Sequence, residues 1–184
     1  MIQDNFQQRK KDILSKLDKS SIGEWDEKIV QLCEKINSFP SLYTTSSCSG
    51  RIMILKDEDK KAPGLFKFVS HDLVRFEDFI KNIPEKGDYK FKQEPLILHI
   101  ACESLRDAEK LLEKSKIAGL KRSGIISLSK NIIIEIISTE KLEFPLVKKG
   151  KLLVDDEFLR VVLEKSNKNL EKSWQKIDKF LKLL

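Results

Sequence analysis

Between Thr44 and Arg51 the chain reads Thr-Thr-Ser-Ser-Cys-Ser-Gly-Arg, which places five hydroxyls, a thiol and a guanidinium within eight positions. Hydroxyls and backbone N–H groups gathered at the end of a strand can hold a carboxylate or a phosphate. Gly50 permits close approach to the backbone, and Arg51 can clamp an anion through two parallel N–H donors. The plainer alternative is a serine-rich turn with Arg51 in a structural ion pair. Cys48 would be activated by a nearby cation, but only Ser49 and Gly50 separate it from Arg51. A phosphatase-type cradle needs a longer spacing, so Cys48 is expected to pack. The two histidines, His71 and His99, end or interrupt predicted strands, where each either accepts a proton or is simply satisfied by a neighbour. With only two histidines and no acids clustered beside them in the sequence, no metal is expected. A fourth candidate is the basic turn Lys121-Arg122-Ser123-Gly124, whose amides, Ser123 hydroxyl and Arg122 charge can meet a nucleotide or phosphate, or do nothing beyond turning the chain.

The elements that must position these groups follow from periodicity. Phe6, Ile13, Leu14 and Leu17 share one face of a first helix that ends before Ser20-Ser21. Ser21 and Glu24 have capping-box spacing for a second helix, which carries Trp25, Ile29, Leu32, Cys33 and Ile36 and stops before Pro40. Cys33 is therefore a core residue. The apolar run Ile52-Met53-Ile54-Leu55 reads as a buried strand with the polar stretch at its mouth. Leu65 to His71 reads as another strand, followed by a short helix from Arg75 to Asn82. Tyr89 to Glu94 and Leu96 to Ala101 are two strands separated by a bend at Pro95. Ser104 caps a helix bearing Leu105, Ala108, Leu111 and Leu112, with Gly119 as its left-handed stop. Strands at Ser123–Leu128 and Ile132–Ser138 follow, joined by a turn at Ser129-Lys130-Asn131, with Ile132-Ile133-Ile134 fully buried. Leu152-Leu153-Val154 is a last short strand before a helical tail capped by Asp155 or Asp156. Strict strand–helix alternation is missing, so the expected class is α+β: a single domain over residues 1–184 with a mixed or mostly antiparallel sheet flanked by helices.

Composition narrows the function. Lys and Arg number 35 against 29 acids, for a net charge of +6. Ten basic and six acidic residues fall between Lys148 and Leu184, which suits either a solvated helix face or an RNA footprint. Three cysteines far apart exclude a disulfide framework. No apolar run is long enough to span a bilayer and the first residues lack a signal-peptide pattern, so a cytoplasmic location without membrane contact is expected. The seven glycines never form the Gly-x-Gly-x-x-Gly turn of a dinucleotide cradle. The common doubly wound cradle, that of a classical Rossmann methyltransferase, would therefore not be what holds a nucleotide-like cofactor.

Read as strings, Trp25-Asp26-Glu27-Lys28-Ile29, Tyr43 to Ile52, Val69-Ser70-His71, Glu94 to His99, Arg122 to Ile125, Pro145-Leu146 and Leu152-Leu153-Val154 resemble, in order, the signatures of the tRNA wybutosine-synthesising methyltransferase family. The resemblance covers about Ser20 to the C-terminal helix. It departs at Leu65-Phe66, where the family often has tryptophan, and at Ile137-Ser138, which lacks an arginine often seen before that serine. The resemblance implies transfer of a methyl group from S-adenosylmethionine to N-4 of a demethylated wyosine base in the anticodon loop of phenylalanine tRNA, without a metal. The implied pocket takes Ser46, Ser47, Ser49, Gly50, His99, Ser123 and Gly124 for the cofactor. Arg51 would hold either the methionine carboxylate or a tRNA phosphate, and His71 would accept the ring proton. The alternative is a non-catalytic tRNA-binding module.

Overall fold

The computed structural model of the chain describes residues 2–15, 26–58, 64–129 and 131–184. In chain order the elements are α1 (Ile2–Leu14), α2 (Val30–Ser38), β1 (Leu42–Cys48), β2 (Arg51–Lys56), β3 (Phe66–Ser70), α3 (Phe76–Ile80), β4 (Tyr89–Glu94), β5 (Ile97–Cys102), α4 (Leu105–Ile117), β6 (Gly124–Ser127), β7 (Ile132–Ile137), β8 (Leu142–Lys148), β9 (Lys151–Leu152) and α5 (Asp156–Leu183). The class is α+β, and every strand pairing among the described residues is antiparallel. The strands divide between two sheets, ordered β1-β5-β7-β6 and β3-β2-β4-β8-β9. The chain passes between the sheets three times, after β1, at Pro95 between β4 and β5, and between β7 and β8; Pro95 has no N–H to give to a ladder. Contacts group the chain into two compact units, Met1–Ser49 with Leu96–Thr139 and Ser173–Leu184, and Gly50–Pro95 with Glu140–Lys172.

In the first unit, one face of the four-stranded sheet presents Leu42, Leu98, Ile100, Cys102, Ile134 and Ile136 to α2, α4 and the end of α5. Leu32, Cys33 and Ile36 from α2, Ala108 and Leu111 from α4, and Ile177 and Phe180 from α5 complete this core. Cys33 is fully buried, as its helical spacing requires. Ser104 caps α4 by accepting from the Asp107 amide, and Gly119 ends it at φ 95°. On the opposite face α1 packs Phe6 and Ile13 over Tyr43, Ala101 and Ile133. Alternation along the strands sends neighbouring residues to opposite faces, so α1 covers only the end of this second face.

In the second unit the five-stranded sheet builds its core on Phe91. Its ring stacks on Phe144 with 5.0 Å between centroids and meets Phe79 of α3 edge-on at 5.7 Å. The buried Gln93 amide donates to the Glu140 carbonyl and accepts from Asn169 of α5 at 2.8 Å. Asp155 caps α5, its carboxylate accepting from the Phe158 amide.

Several elements differ from expectation: α2 begins only at Val30, the last strand is Lys151–Leu152, and of Ile132, Ile133 and Ile134 only Ile134 is fully buried. The polar stretch at residues 42–48 is a strand rather than a turn at a strand mouth: Leu42, Tyr43, Thr44, Ser46, Ser47 and Cys48 all pair with β5, and β-branched residues such as Thr44 suit a strand. Residues 142–148 also form a strand although Pro145 lies within it, opposite Lys90. The register shifts between Tyr89 and Lys90, the kind of irregularity at which proline is tolerated. The Ser21–Glu24 capping box, Trp25, Leu17 and Lys130 lie outside the described residues.

Candidate active site

Across the first sheet one row of residues is continuous. Ser46 on β1 stands opposite His99 on β5, His99 opposite Glu135 on β7, and Glu135 opposite Gly124 on β6. Side chains complete what the register begins. The Ser46 Oγ lies 3.1 Å from His99 Nδ1, and His99 Nε2 lies 3.0 Å from Glu135 Oε2. The carboxylate can only accept, so Nε2 carries the proton. In a neutral imidazole that tautomer leaves the Nδ1 lone pair to the Ser46 hydroxyl. Imidazole and carboxylate side chains are each 29% exposed, half-buried enough for directional bonding and open enough to be reached. A Cβ placed on Gly124 would meet no heavy atom within 4 Å. The sheet surface beside Glu135 is therefore open where a larger residue would fill it.

An irregularity in β1 makes this row possible. The pairing of β1 with β5 shifts between Thr44 and Ser46, so Thr45 is an extra residue and its hydroxyl donates to the His99 carbonyl at 3.4 Å. Without the bulge Thr45 would oppose His99, and Ser46 would fall on the core face. Thr44 before the bulge does face the core, where its amide donates to the Asn37 side chain at 2.8 Å. Ser46 after it is returned to the face that carries Tyr43 and His99.

The remaining expected residues have other placements. Ser47 pairs with Leu98, on the face opposite the row. Ser49 is fully buried, and both its amide (2.8 Å) and its hydroxyl (2.5 Å) donate to one Asp26 carboxylate oxygen. A protein carboxylate thus takes the donors expected for a ligand anion. Gly50 turns the chain at φ 110°, a region that favours glycine. The Ser123 hydroxyl accepts from the Ile137 amide at 3.1 Å and so serves the ladder. Cys48 ends β1 opposite Ile97. The Cys102 thiol is pushed up to about 12 by burial, with the Asp107 charge adding to it, so it is no nucleophile.

Arg51 and His71 belong to the second unit. Arg51 stands opposite Glu94 in the ladder, and its Nε and one terminal nitrogen both lie 2.8 Å from Glu94 Oε2. Lys92 holds the other oxygen of Glu94 at 2.9 Å, while the Arg51 guanidinium sits 5.5 Å above the Phe66 ring. Burial would raise the Glu94 carboxyl, but the Lys92 hydrogen bond and the Arg51 charge outweigh it and hold the group below its usual range. His71 follows β3 in a bend where the Ser70 hydroxyl binds both the carbonyl and the amide of Asp72.

Glu135 is the functional candidate that sequence reasoning missed. Its signal was a lone acid inside Ile132-Ile133-Ile134-Glu135-Ile136-Ile137, since a charge within an apolar strand needs a partner.

Comparison with known proteins places the whole chain. The family described as Methyltransferase TYW3 matches residues 8–184. The tRNA(Phe) 7-((3-amino-3-carboxypropyl)-4-demethylwyosine(37)-N(4))-methyltransferase of Archaeoglobus fulgidus is 37% identical over 162 residues, covering 86% of this chain and 82% of that protein. The tRNA wybutosine-synthesizing protein 3 homolog of Danio rerio is 36% identical over 189 residues, covering 98% of this chain and 75% of the relative. A solved structure of a Pyrococcus horikoshii protein superposes with a TM-score of 0.88 at 32% identity, over 98% of this chain and 94% of that one. Matched by the family over nearly its whole length and by relatives above 30% identity, the chain belongs to the methyltransferase TYW3 family.

Proposed function

We propose that the chain methylates N-4 of the 7-aminocarboxypropyl-demethylwyosine base at position 37, in the anticodon loop of phenylalanine tRNA, with S-adenosylmethionine as donor and residues 1–184 acting as one catalytic domain. The observation that carries this reading is the row Ser46–His99–Glu135–Gly124, in a chain whose archaeal relatives bear that activity in their names. The donor set fits the cofactor and the base. Ser46 offers a hydroxyl and His99 an imidazole, and a Cβ on Gly124 would meet nothing within 4 Å, which leaves room for a planar ring on that surface. When bound, the cofactor supplies a methyl group already activated on sulfur. The protein's task is then to align the ring nitrogen with that methyl, exclude water and remove a proton. A base in a tRNA loop can be splayed out and laid on such a surface.

Arg51 is proposed as an anion contact of the second unit, with Glu94 orienting its guanidinium. Its two readings, methionine carboxylate or tRNA phosphate, separate in Arg51→Ala by whether KM rises for the cofactor or for the tRNA. His71 is the other candidate proton acceptor. A purely RNA-binding role is disfavoured by membership in a methyltransferase family. Incubating the protein with methyl-labelled S-adenosylmethionine and tRNA(Phe) carrying the demethylated base tests the proposal. Label is expected in that tRNA and not in one already methylated, whereas absence of label from both would contradict it.

A further inference from the structure

The structure assigns Glu135 as a positioning residue that fixes the tautomer of His99, so that Ser46 and His99 Nδ1 form the proton exit for methyl transfer. This inference rests on the function proposed above and deepens it. The geometry leaves few alternatives within the first unit. Glu135 Oε2 lies 3.0 Å from Nε2 and Ser46 Oγ 3.1 Å from Nδ1, so the imidazole is held at both ends along one rung. The Thr45 hydroxyl bonds the His99 carbonyl at 3.4 Å and adds no charge to the ring. Tyr43 on this face meets Arg9 of α1, and Cys48, two residues beyond Ser46, has the Asp26 carboxylate within 4.8 Å; neither group bonds the His99 ring. Glu135 is thus the single acidic partner of the ring among the described residues of the unit.

The step balances as follows. The bond from the ring nitrogen to the methyl carbon forms as the carbon–sulfur bond breaks, its electron pair staying on sulfur. The ring proton passes to Ser46 Oγ as the serine's own proton passes to His99 Nδ1. The resulting imidazolium is stabilised by Glu135 through Nε2–H. A carboxylate that fixes the tautomer of a histidine base from behind is a recurrent arrangement in proton-transfer sites.

Glu135→Gln keeps the shape but lets its amide donate to Nε2, which permits the wrong tautomer. The chain has two histidines, so nitrogen-15 NMR of the imidazoles, assigned with His99→Gln, reads the tautomer directly and without turnover. The native protein is expected to show His99 protonated on Nε2, and Glu135→Gln to show a mixture. In methyl transfer Glu135→Gln should lower kcat by on the order of 10²-fold with KM for both substrates little changed. Ser46→Ala should also lower kcat, and Glu135→Asp should restore part of it. A native His99 protonated on Nδ1, or a Glu135→Gln enzyme with native kcat, would overturn the assignment while leaving methyltransferase activity itself intact. Loss of transfer by the native protein would instead strike the underlying function.

Discussion

At the residue scale, the site depends on a side chain that is absent. Gly124 has an ordinary backbone conformation, since it is not among the glycines of positive φ, and a Cβ there would touch nothing within 4 Å. A valine at this strand position suits the ladder and, by β-propensity, should cost nothing or even stabilise by a few tenths of a kcal/mol. If the surface beside Glu135 receives the ligands, Gly124→Val should keep the native melting temperature and lose roughly tenfold or more in kcat/KM. Unchanged turnover would place the ligands elsewhere. Glu94 makes a second residue-scale case. Lys92 and Arg51 favour its charged form in the folded protein, so its stabilisation is complete above the ordinary carboxyl value of 4.5 and is lost as pH falls through the lowered folded value. Glu94→Gln should therefore be less stable than the native protein at neutral pH, by about 0.5–1 kcal/mol for a half-exposed pair. The difference should shrink below about pH 4 in denaturant titrations; a difference that stays constant with pH would remove the ion pair from the account.

At the element scale, β1 decides which side chains meet. The serine-rich block stood out in the sequence, and so did His99 and Gly124, because their types carry chemistry wherever they fall. Their meeting was not legible. It requires the extra residue at Thr45, which inverts the alternation halfway along a seven-residue strand, and a bulge leaves no local signature in a run of Thr and Ser. Ser47 and Ser49 were indistinguishable from Ser46 by type, and only pairing with Leu98 and burial against Asp26 tells them apart. The helices were easier to read. The Ser104 cap, the Gly119 stop and the apolar stripe of α4 are local signals that tertiary packing then used. β8 was hidden by Pro145, whose tolerance depends on a shift in the partner strand. Deleting Thr45 tests the role of the bulge. Removing the extra residue joins Thr44, opposite Ile100, directly to Ser46, opposite His99, so the alternation becomes regular with every side chain on its present face, and ΔThr45 should keep methyl transfer and most of its stability in denaturant titrations. A ΔThr45 protein that folds but has lost methyl transfer would show that the bulge does more than set which face Ser46 takes.

At the scale of the whole molecule, two antiparallel sheets are built by one chain that crosses between them, with α5 contributing its first part to one unit and its last part to the other. No helix among the described residues is long and apolar enough to cross a membrane. The net charge of +6 favours a polyanionic partner through counterion release, which suits tRNA without specifying it. Identity came instead from ordered motifs spread over the chain, and the proposed chemistry rests on the rung that gathers a hydroxyl, an imidazole and a carboxylate beside an open surface. The most direct measurement is nucleoside mass spectrometry of demethylated tRNA(Phe) after reaction with the native protein and with His99→Gln. The native protein should yield a position-37 nucleoside one methyl heavier, with the added group on N-4, and His99→Gln should leave it almost unconverted. An unconverted nucleoside with the native protein, or equal conversion by the two, would contradict the account.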